Sequence, residues 1–583
     1  MILAHRTHNN NQLRLKDVGT VVELKGWVAK KRNLGSLVFI DLRDKEGITQ
    51  LVCDEKFATL TSKIKNEYVL YAKGKVIERS NKNKNIPTGE IEIEVEDLQI
   101  INTSETPPII IADETDALED TRLKYRYLDL RRPCMQKALR LRHEITKSVR
   151  SYFDHLDFIE VETPIIAKTT PEGARDYLIP SRVNKGKFYA LPQSPQIFKQ
   201  LLMIAGFERY YQIARCFRDE DLRADRQMEF TQIDFEVSFF SQEEFYSLVE
   251  GLFVHLFKEV MKMDLKTPFP RLTWQDAMNR YGSDKPDLRF DLPLEDVTSI
   301  FKDTTVSFLQ SECVKGIKVS ATTSFSRKDL DYCTDLVKKY KAKGLCFVKM
   351  VDHHLEGSSA KLLTENEKEA LMQKLDLKDQ DLFFFIADQW KTTVTALGAL
   401  RNHLAKHFGY IDENKYAFVW IVDFPMFEYN EEGELNAAHH PFTAYKVEDE
   451  KYWDSDPLKI RANAYDIVLN GYELGSGSLR IFDQNMQQKV FEKLGLSDED
   501  IHVKFGFFVE ALKYGTPPHC GMGLGLDRIA MILNHSSSLR DVIAFPKNAS
   551  AVCPMSEAPT IVDQKQLDEL GIKIVKKEGN DTQ

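Results

Sequence analysis

Residues 229–238, EFTQIDFEVS, restrict the fold more than any other stretch of the chain. Thr231, Ile233, Phe235 and Val237 alternate with Gln232, Asp234 and Glu236. Successive side chains on a strand point to opposite faces, so the segment carries one apolar and one polar face. A strand that lines up three polar groups over a core presents a site. The residues before it, 208–228, read as a partner strand ending in Arg218-Asp219-Glu220, then a loop with Arg223, Arg226 and Gln227. Guanidinium groups at the mouth of an acidic sheet suit a polyphosphate with bound metal. The plain alternative is a surface hairpin with solvated charges.

The surroundings are those of a large globular chain. Its 583 residues predict three or four domains. No stretch is apolar enough for a membrane span, and the N-terminus lacks the apolar core of a signal peptide. The eight cysteines are scattered without a CxxC, which excludes a zinc ribbon or disulfide framework and points to a reducing, cytoplasmic setting. Net charge is −10, yet residues 1–43 hold eight Lys or Arg against three acids. A basic module on an acidic body stays compatible with a nucleic-acid partner.

Residues 20–102 read as five short strands, including the alternating run Ile91–Glu96. That pattern fits an oligonucleotide-binding (OB) barrel. Lys30-Lys31-Arg32 and Phe39 offer cations and a stacking surface. From the residues alone, Phe39 is better read as core. Pro107-Pro108 opens a hinge, and Leu139, Leu141, Ile145, Val149 and Phe153 have helical spacing. Between about 285 and 415, Lys-rich helical stretches mix with short strands and the polar alternation disappears. That change of texture predicts an inserted α+β domain. The last 35 residues read as a surface extension.

Four further segments carry site-like residues: 169–176 with Glu172; 193–199 with Ser194, Gln196 and Lys199; 465–480, from Asp466 through Glu473 to Arg480; and 521–530, GMGLGLDRIA. Gln196 and Lys199 share a helix face. The last segment is not GxGxxG and lacks a βαβ context, so a dinucleotide loop is excluded. It reads as a Gly-rich strand entering a helix at Arg528, with glycines that let backbone approach a flat ligand.

Segments 158–164, 208–236 and 521–530 resemble the three signature motifs of class II aminoacyl-tRNA synthetases. TPEGARDYL, QSPQIFKQL, AAHHPFT and YGSDKPDLRF make the whole chain similar to the bacterial aspartyl type. The resemblance implies an α+β multidomain fold: an OB barrel for the anticodon (1–104), a hinge (105–134), an antiparallel-sheet catalytic domain (135–286 and 416–548) interrupted by a GAD-like insertion (287–415), and a C-terminal extension (549–583). It implies activation of L-aspartate by ATP with Mg²⁺, transfer to tRNA(Asp), with tRNA(Asn) as a second candidate, and a homodimer with Pro164 at its interface.

Residue roles follow from the same resemblance. Arg218, Asp219, Glu220, Gln227, Phe230, Glu473, Gly525, Leu526, Asp527 and Arg528 would bind ATP, with Phe230 stacking on adenine. Asp466 and Glu473, seven apart and so requiring a bend between them, would hold Mg²⁺. Arg480 would pair with the substrate carboxylate in a bidentate fork, with Lys199 as a second cation. Glu172, Ser194, Gln196, Arg218, Asp234, His439 and His440 would complete the aspartate site. Arg218, Glu220, Arg480 and Arg528 would carry catalysis. Arg32, Phe39 and Gln50 match anticodon contacts, which turns Phe39 from core to stacking. Leu34 resembles aspartate-restricted members. Rival readings are an asparaginyl or lysyl enzyme, or a non-catalytic RNA-binding protein on the same scaffold.

Overall fold

The computed structural model describes residues 6–169, 173–320, 325–430 and 432–575, and the chain separates into two units. The first holds residues 1–140 and 540–561. Its strands are β1 (Val21–Leu34), β2 (Leu37–Arg43), β3 (Ile48–Cys53), β4 (Val69–Glu78) and β5 (Ile91–Asn102). They close a barrel in the order β1-β2-β3-β5-β4, with β3 and β5 parallel. Alternation explains the closure. Val22, Leu24, Ile40, Leu42, Leu51, Leu70, Ala72, Ile91 and Ile93 all turn into one fully buried core. Ile40 and Leu42 take the inner phase of β2, so Phe39 and Asp41 face outward and Phe39 lies outside the core. Residues 540–544 return to this unit. The Arg126 guanidinium donates to the carbonyls of Arg540, Ile543 and Ala544 at 2.5–2.9 Å, while Asp129 gathers Arg122, Arg126 and Arg132.

In the second unit the strands are β6 (Ile159–Glu160), β7 (Leu178–Pro180), β8 (Phe188–Ala190), β9 (Arg209–Phe217), β10 (Glu229–Ser238) and β11 (Arg271–Thr273). They continue as β12 (Glu295–Asp296), β13 (Cys313–Ser320), β14 (Cys346–Val351), β15 (His354–Glu356), β16 (Asp381–Asp388) and β17 (Phe418–Val422). The last are β18 (Phe427–Tyr429), β19 (Leu435–Ala437), β20 (Ala464–Leu469), β21 (Tyr472–Leu479) and β22 (His519–Gly525). Eight form one sheet, ordered β11-β17-β20-β21-β22-β10-β9-β6, antiparallel except at its two outer pairs. No Rossmann sheet is present among the described residues.

β10 lies near the middle of that sheet and is buried on both faces. Its apolar face meets an aromatic column: Phe235 lies 5.2 Å from Phe153 and 5.7 Å from Phe245, which lies 5.1 Å from Tyr465. Each such ring contributes about 2–3 kcal/mol by burial. Helix Gln242–Leu256 covers this face and starts at a capping box between Ser241 and Glu244. The polar face of β10 looks the other way, toward a cleft. Residues 295–388 build a separate five-stranded sheet, β12-β13-β16-β14-β15, with its own cores. Lys-rich residues 361–380 contain the helix Glu365–Leu375. None of the helices among the described residues is long and apolar enough to cross a membrane.

Candidate functional site

β10 pairs with β22 so that Glu236 faces Gly521 and Asp234 faces Gly523. β21 lies on the other side of β22 and delivers Arg480 at its end. Helix Gln196–Ile204 lays Lys199 across the same polar face. Four buried charges result. The Lys199 Nζ lies 2.7 Å from Asp234 Oδ1 and 3.3 Å from Glu236 Oε2. Arg480 donates from Nε and Nη2 to the two Glu236 oxygens at 2.8 and 3.1 Å. Both cations are only 2% exposed.

Burial alone would neutralise these groups. For Glu236 it is outweighed by Arg480 and then Lys199, so its carboxyl is held below the usual range and stays ionised. Asp234 is less well compensated: burial pushes its carboxyl up to about 6 despite Lys199. His440 is held neutral by burial and the Arg480 charge. Arg480 Nη1 donates to Ser478 Oγ (2.7 Å) and His440 Nε2 (2.8 Å), and the Phe442 N–H donates to His440 Nδ1 (3.3 Å).

In the structure the Arg480 guanidinium already has protein partners. Glu236 takes the Nε–Nη2 edge, because a buried guanidinium needs a permanent counter-charge, and Nη1 is engaged by Ser478 and His440; the residue lines the cleft. Glu236 was visible only as one of three alternating polar residues. The glycines of 521–525 also serve the protein itself first. A Cβ at Gly521 would sit 1.7 Å from Glu236 Oε2, and one at Gly523 would sit 3.1 Å from Gln232 Oε1. They make room for carboxylate and amide side chains of β10 before they make room for any ligand.

The cleft above these charges encloses about 330 Å³, the size of a small-ligand pocket. Ser194, Gln196, Lys199, Asp234, His439, His440 and Arg480 line one end; Arg218, Glu220, Gln227, Phe230, Glu473, Gly525, Asp527 and Arg528 line the other. Several buried polar atoms here have no hydrogen-bond partner in the protein: Gln196 Nε2, Arg218 Nε, Asp234 Oδ2 and His439 Nδ1. Buried polar atoms without partners are costly, and a cluster of them around one cleft marks where a polar ligand would offset that cost. The Arg218 guanidinium stacks over Phe230 at 5.1 Å, and Glu220 pairs with Arg226 at 3.0 Å.

Asp527 is engaged elsewhere. Its Oδ2 accepts from the Thr231 N–H (2.8 Å) and its Oδ1 pairs with Arg142, so it ties β10 to helix Leu526–Leu533. Leu526 is buried behind the cleft, and Asp219 bonds through its backbone to Arg175. Glu172 lies outside the described residues. Gln193 pins the residues after it, donating to Ala174 O (2.8 Å) and Asp176 Oδ1 (2.5 Å). Pro164 is exposed and neighbours the half-exposed Ile165 and Ile166.

Asp466 and Glu473 meet through a hairpin. β20 and β21 are joined at Asn470-Gly471, both with positive φ, the primed turn that this dipeptide favours. Leu474 is left out of the pairing as a bulge, a device that re-aims neighbouring side chains. Glu473 has its carboxyl raised by burial and by the Asp466 charge, partly offset by Arg528. Asp466 Oδ1 is buried without a hydrogen-bond partner. Two close carboxylates, one with an oxygen that lacks a hydrogen bond and lies 3.8 Å from His439 Nε2, fit a hard divalent cation. Among the described residues no cluster of three or more His, Cys, Asp or Glu could hold a metal, so such an ion would need ligand phosphates and water.

A second patch lies on the barrel. Arg32 Nη2 donates to Asp41 Oδ1 and Gln50 Oε1, each at 2.9 Å, and Arg32 faces Phe39 across the β1–β2 ladder. Gln50 Nε2 donates to Glu92 (2.6 Å) and Arg79 donates to Gln50 (3.1 Å). Arg32, Phe39 and Gln50 thus share one side of the barrel wall, with Gln50 itself buried.

Comparison with known proteins places the chain in a family. A family model described as tRNA synthetases class II (D, K and N) matches residues 118–549, and one for the OB-fold nucleic acid binding domain matches 22–101. The aspartate–tRNA(Asp/Asn) ligase of Geobacillus sp. is 51% identical over 98% of each chain. The aspartate–tRNA ligase of Macrococcus caseolyticus is 52% identical over 96% of each. The asparaginyl-tRNA synthetase of Pyrococcus horikoshii, solved with asparaginyl-adenylate, shares the fold at 17% identity, with a TM-score of 0.57 over 91% of this chain and 95% of its own. The chain therefore belongs to the class II tRNA synthetases of the D, K and N group, in the branch formed by the bacterial aspartate–tRNA ligases.

Proposed function

We propose that the chain joins L-aspartate to the α-phosphate of ATP, forming aspartyl-adenylate and releasing diphosphate, then passes the aspartyl group to the 3′ end of tRNA(Asp), releasing AMP. The observation that carries this reading is the buried Lys199–Arg480 pair, set beside the Asp466–Glu473 hairpin in one cleft with Arg218 and Arg528. Lys199 and Arg480 both line the cleft, so a zwitterion with one further negative group would find two cations there. That group would meet the Arg480 guanidinium and the Lys199 ammonium. The substrate ammonium would meet Asp234 Oδ2, with Ser194 and Gln196 on the same end of the cleft.

Alignment does the chemistry. The substrate α-carboxylate oxygen attacks the α-phosphorus, and the bond to the bridging oxygen of diphosphate breaks. No side-chain nucleophile is needed. Arg218 and Arg528 oppose the phosphate charge, and Phe230 offers a face to adenine. Asp466 and Glu473 would hold Mg²⁺, which when bound supplies charge neutralisation of the phosphates. Ile165 and Ile166, exposed beside Pro164, support a homodimer interface there. The cytoplasm is the compartment where these substrates meet, and eight scattered cysteines without a CxxC suit it.

Aspartate-dependent ATP–pyrophosphate exchange without tRNA tests this reading: exchange with aspartate supports it, and its absence overturns it. Asp234 adds a pH dependence. A carboxyl with a raised pKa takes up its proton as pH falls through about 6 and then cannot receive the substrate ammonium. The KM for aspartate is expected to rise about tenfold per pH unit below 6. A flat KM from pH 7 to 5 contradicts that role.

On the barrel, base stacking on Phe39 predicts that Phe39→Ala raises the KM for tRNA about tenfold and leaves tRNA-independent exchange unchanged. Leu34, two-thirds exposed at the tip of the β1–β2 turn, supports a preference for tRNA(Asp). The dual names of relatives such as that from Geobacillus support tRNA(Asn) as a second, slower substrate. Charging each purified tRNA decides between them, and equal rates remove the preference.

A further inference from the structure

Two buried side chains sit behind the charged floor of the cleft and take no part in its lining: Gln200, fully buried, and His519, 3% exposed. They connect the elements that carry the two cations. Gln200 follows Lys199 on helix Gln196–Ile204, and successive helix positions differ by about 100°, so the two side chains leave the helix in different directions. Lys199 reaches Asp234 and Glu236, and its Nζ also lies 3.5 Å from Met522 O of β22. Gln200 reaches the first residue of the same strand, with its Oε1 3.2 Å from His519 Nε2. The helix therefore touches β22 on both sides of Gly521, the residue that faces Glu236.

His519 is held from three directions. Its Nδ1 donates to Pro517 O (2.8 Å), its carbonyl accepts from the Arg480 N–H (3.0 Å), and it pairs with Ser238 in the β10–β22 ladder. The carbonyl contact places the backbone of Arg480, and the ring contact places the helix that carries Lys199. A neutral imidazole accepts from an amide N–H₂ and a charged one donates to the amide oxygen, so glutamine at 200 keeps the link in either state of the ring. Packing alone does not account for this glutamine. Its Nε2 is buried without a hydrogen-bond partner in the protein, a cost that an apolar side chain of the same size avoids.

We propose that Gln200 and His519 are positioning residues for amino-acid selectivity: their contact sets Lys199 between Asp234 and Glu236 at the spacing that an aspartate side chain requires. The proposal rests on the aspartate-activating reading above. With the contact in place, the helix cannot turn about its axis without drawing Gln200 away from His519, and Lys199 keeps 2.7 Å to Asp234 and 3.3 Å to Glu236. Without it, the ammonium can close on Glu236, and a substrate carboxylate then meets one well-placed cation instead of two. A misplacement of about 1 Å at such a site is enough to be read in kinetics.

Pyrophosphate exchange of the full-length protein, with aspartate and with asparagine, tests this. Gln200→Met and His519→Leu should each raise the KM for aspartate about tenfold and lower the aspartate-to-asparagine ratio of kcat/KM about tenfold, while the KM for ATP stays put. The double variant should be no worse than the poorer single one, because all three lack the same contact. His519→Gln, whose amide still reaches Gln200, should recover most of the aspartate affinity. His519→Asn keeps a donor for Pro517 O but falls short of Gln200; it should behave as His519→Leu does, and it takes that variant's place if the leucine protein does not fold. An unchanged KM for aspartate with an unchanged ratio overturns the proposal. So does a fall in kcat shared by both amino acids, or losses that add in the double variant, since those are the marks of a merely structural role. No aspartate-dependent exchange in the parent protein means that the reading of the site has failed; exchange in the parent with unaltered selectivity in the variants means that this proposal alone has failed.

Discussion

Replacing Arg480 with leucine is expected to lower kcat/KM for aspartate activation by about 10⁴-fold. Two losses combine. The substrate carboxylate loses the guanidinium end, and Glu236, fully buried, loses the partner that keeps its charge tolerable. Removing one member of a buried ion pair costs about 3–5 kcal/mol, so thermal stability should fall too. Lys199 lies 3.3 Å from Glu236 and would be drawn toward it, away from Asp234 and the substrate. Glu236→Gln with Arg480 intact separates these effects: the fork survives, one charge is lost, and activity should fall less than in Arg480→Leu. Exchange measured with aspartate titrated to high concentration checks both, and near-normal activity of Arg480→Leu contradicts the assignment of the site.

Gly521→Ala is expected to be nearly as damaging, although it adds a single methyl group and touches no charge of its own. The new Cβ would fall 1.7 Å from Glu236 Oε2 and 2.4 Å from Phe235 O. Both atoms belong to β10, which is hydrogen-bonded to β22 along its length and cannot retreat. Overpacking of this kind costs about 1–3 kcal/mol in stability. The functional cost is larger, because the carboxylate that orients Arg480 must leave its position. A loss of about 10³-fold in aspartate activation is expected, with a melting temperature only a few degrees lower. Gly525→Ala is the control for the neighbouring position: a Cβ there meets nothing closer than 3.6 Å. Equal activity of Gly521→Ala and the parent would show that Glu236 does not set the site.

The parts of this architecture that were legible in the sequence are those governed by local period and punctuation. The alternation in 229–238 predicts a strand with a polar face because each side chain there obeys its immediate neighbours. Five turn-separated strands predict the barrel, and in β2 the inner phase of Ile40 and Leu42 also decides that Phe39 points out, a consequence the residue type alone hides. The bend between Asp466 and Glu473 was available too: Asn470-Gly471 is a hairpin signal, and it turns a separation of seven residues into cross-strand proximity.

What stayed illegible depends on partners distant in the chain. Glu236 meets an arginine 244 residues away, and nothing in the local pattern distinguishes it from Gln232. The glycines of 521–525 read as an approach for a ligand, because a sequence cannot show that the neighbouring strand's own carboxylate needs the space. Arg126 commits its guanidinium to three backbone carbonyls of 540–544, groups that every residue carries and no pattern marks.

The central claim is that a floor of two buried cations, already half-committed to two carboxylates, recognises a negatively charged amino-acid side chain. Comparing pyrophosphate exchange with aspartate and with asparagine, at equal ATP and without tRNA, tests it most directly. Asparagine places an amide N–H₂ against donors that have nowhere to turn, so the expected ratio of kcat/KM is about 10⁴ in favour of aspartate. Comparable exchange with the two amino acids, or preference for asparagine, would contradict the account.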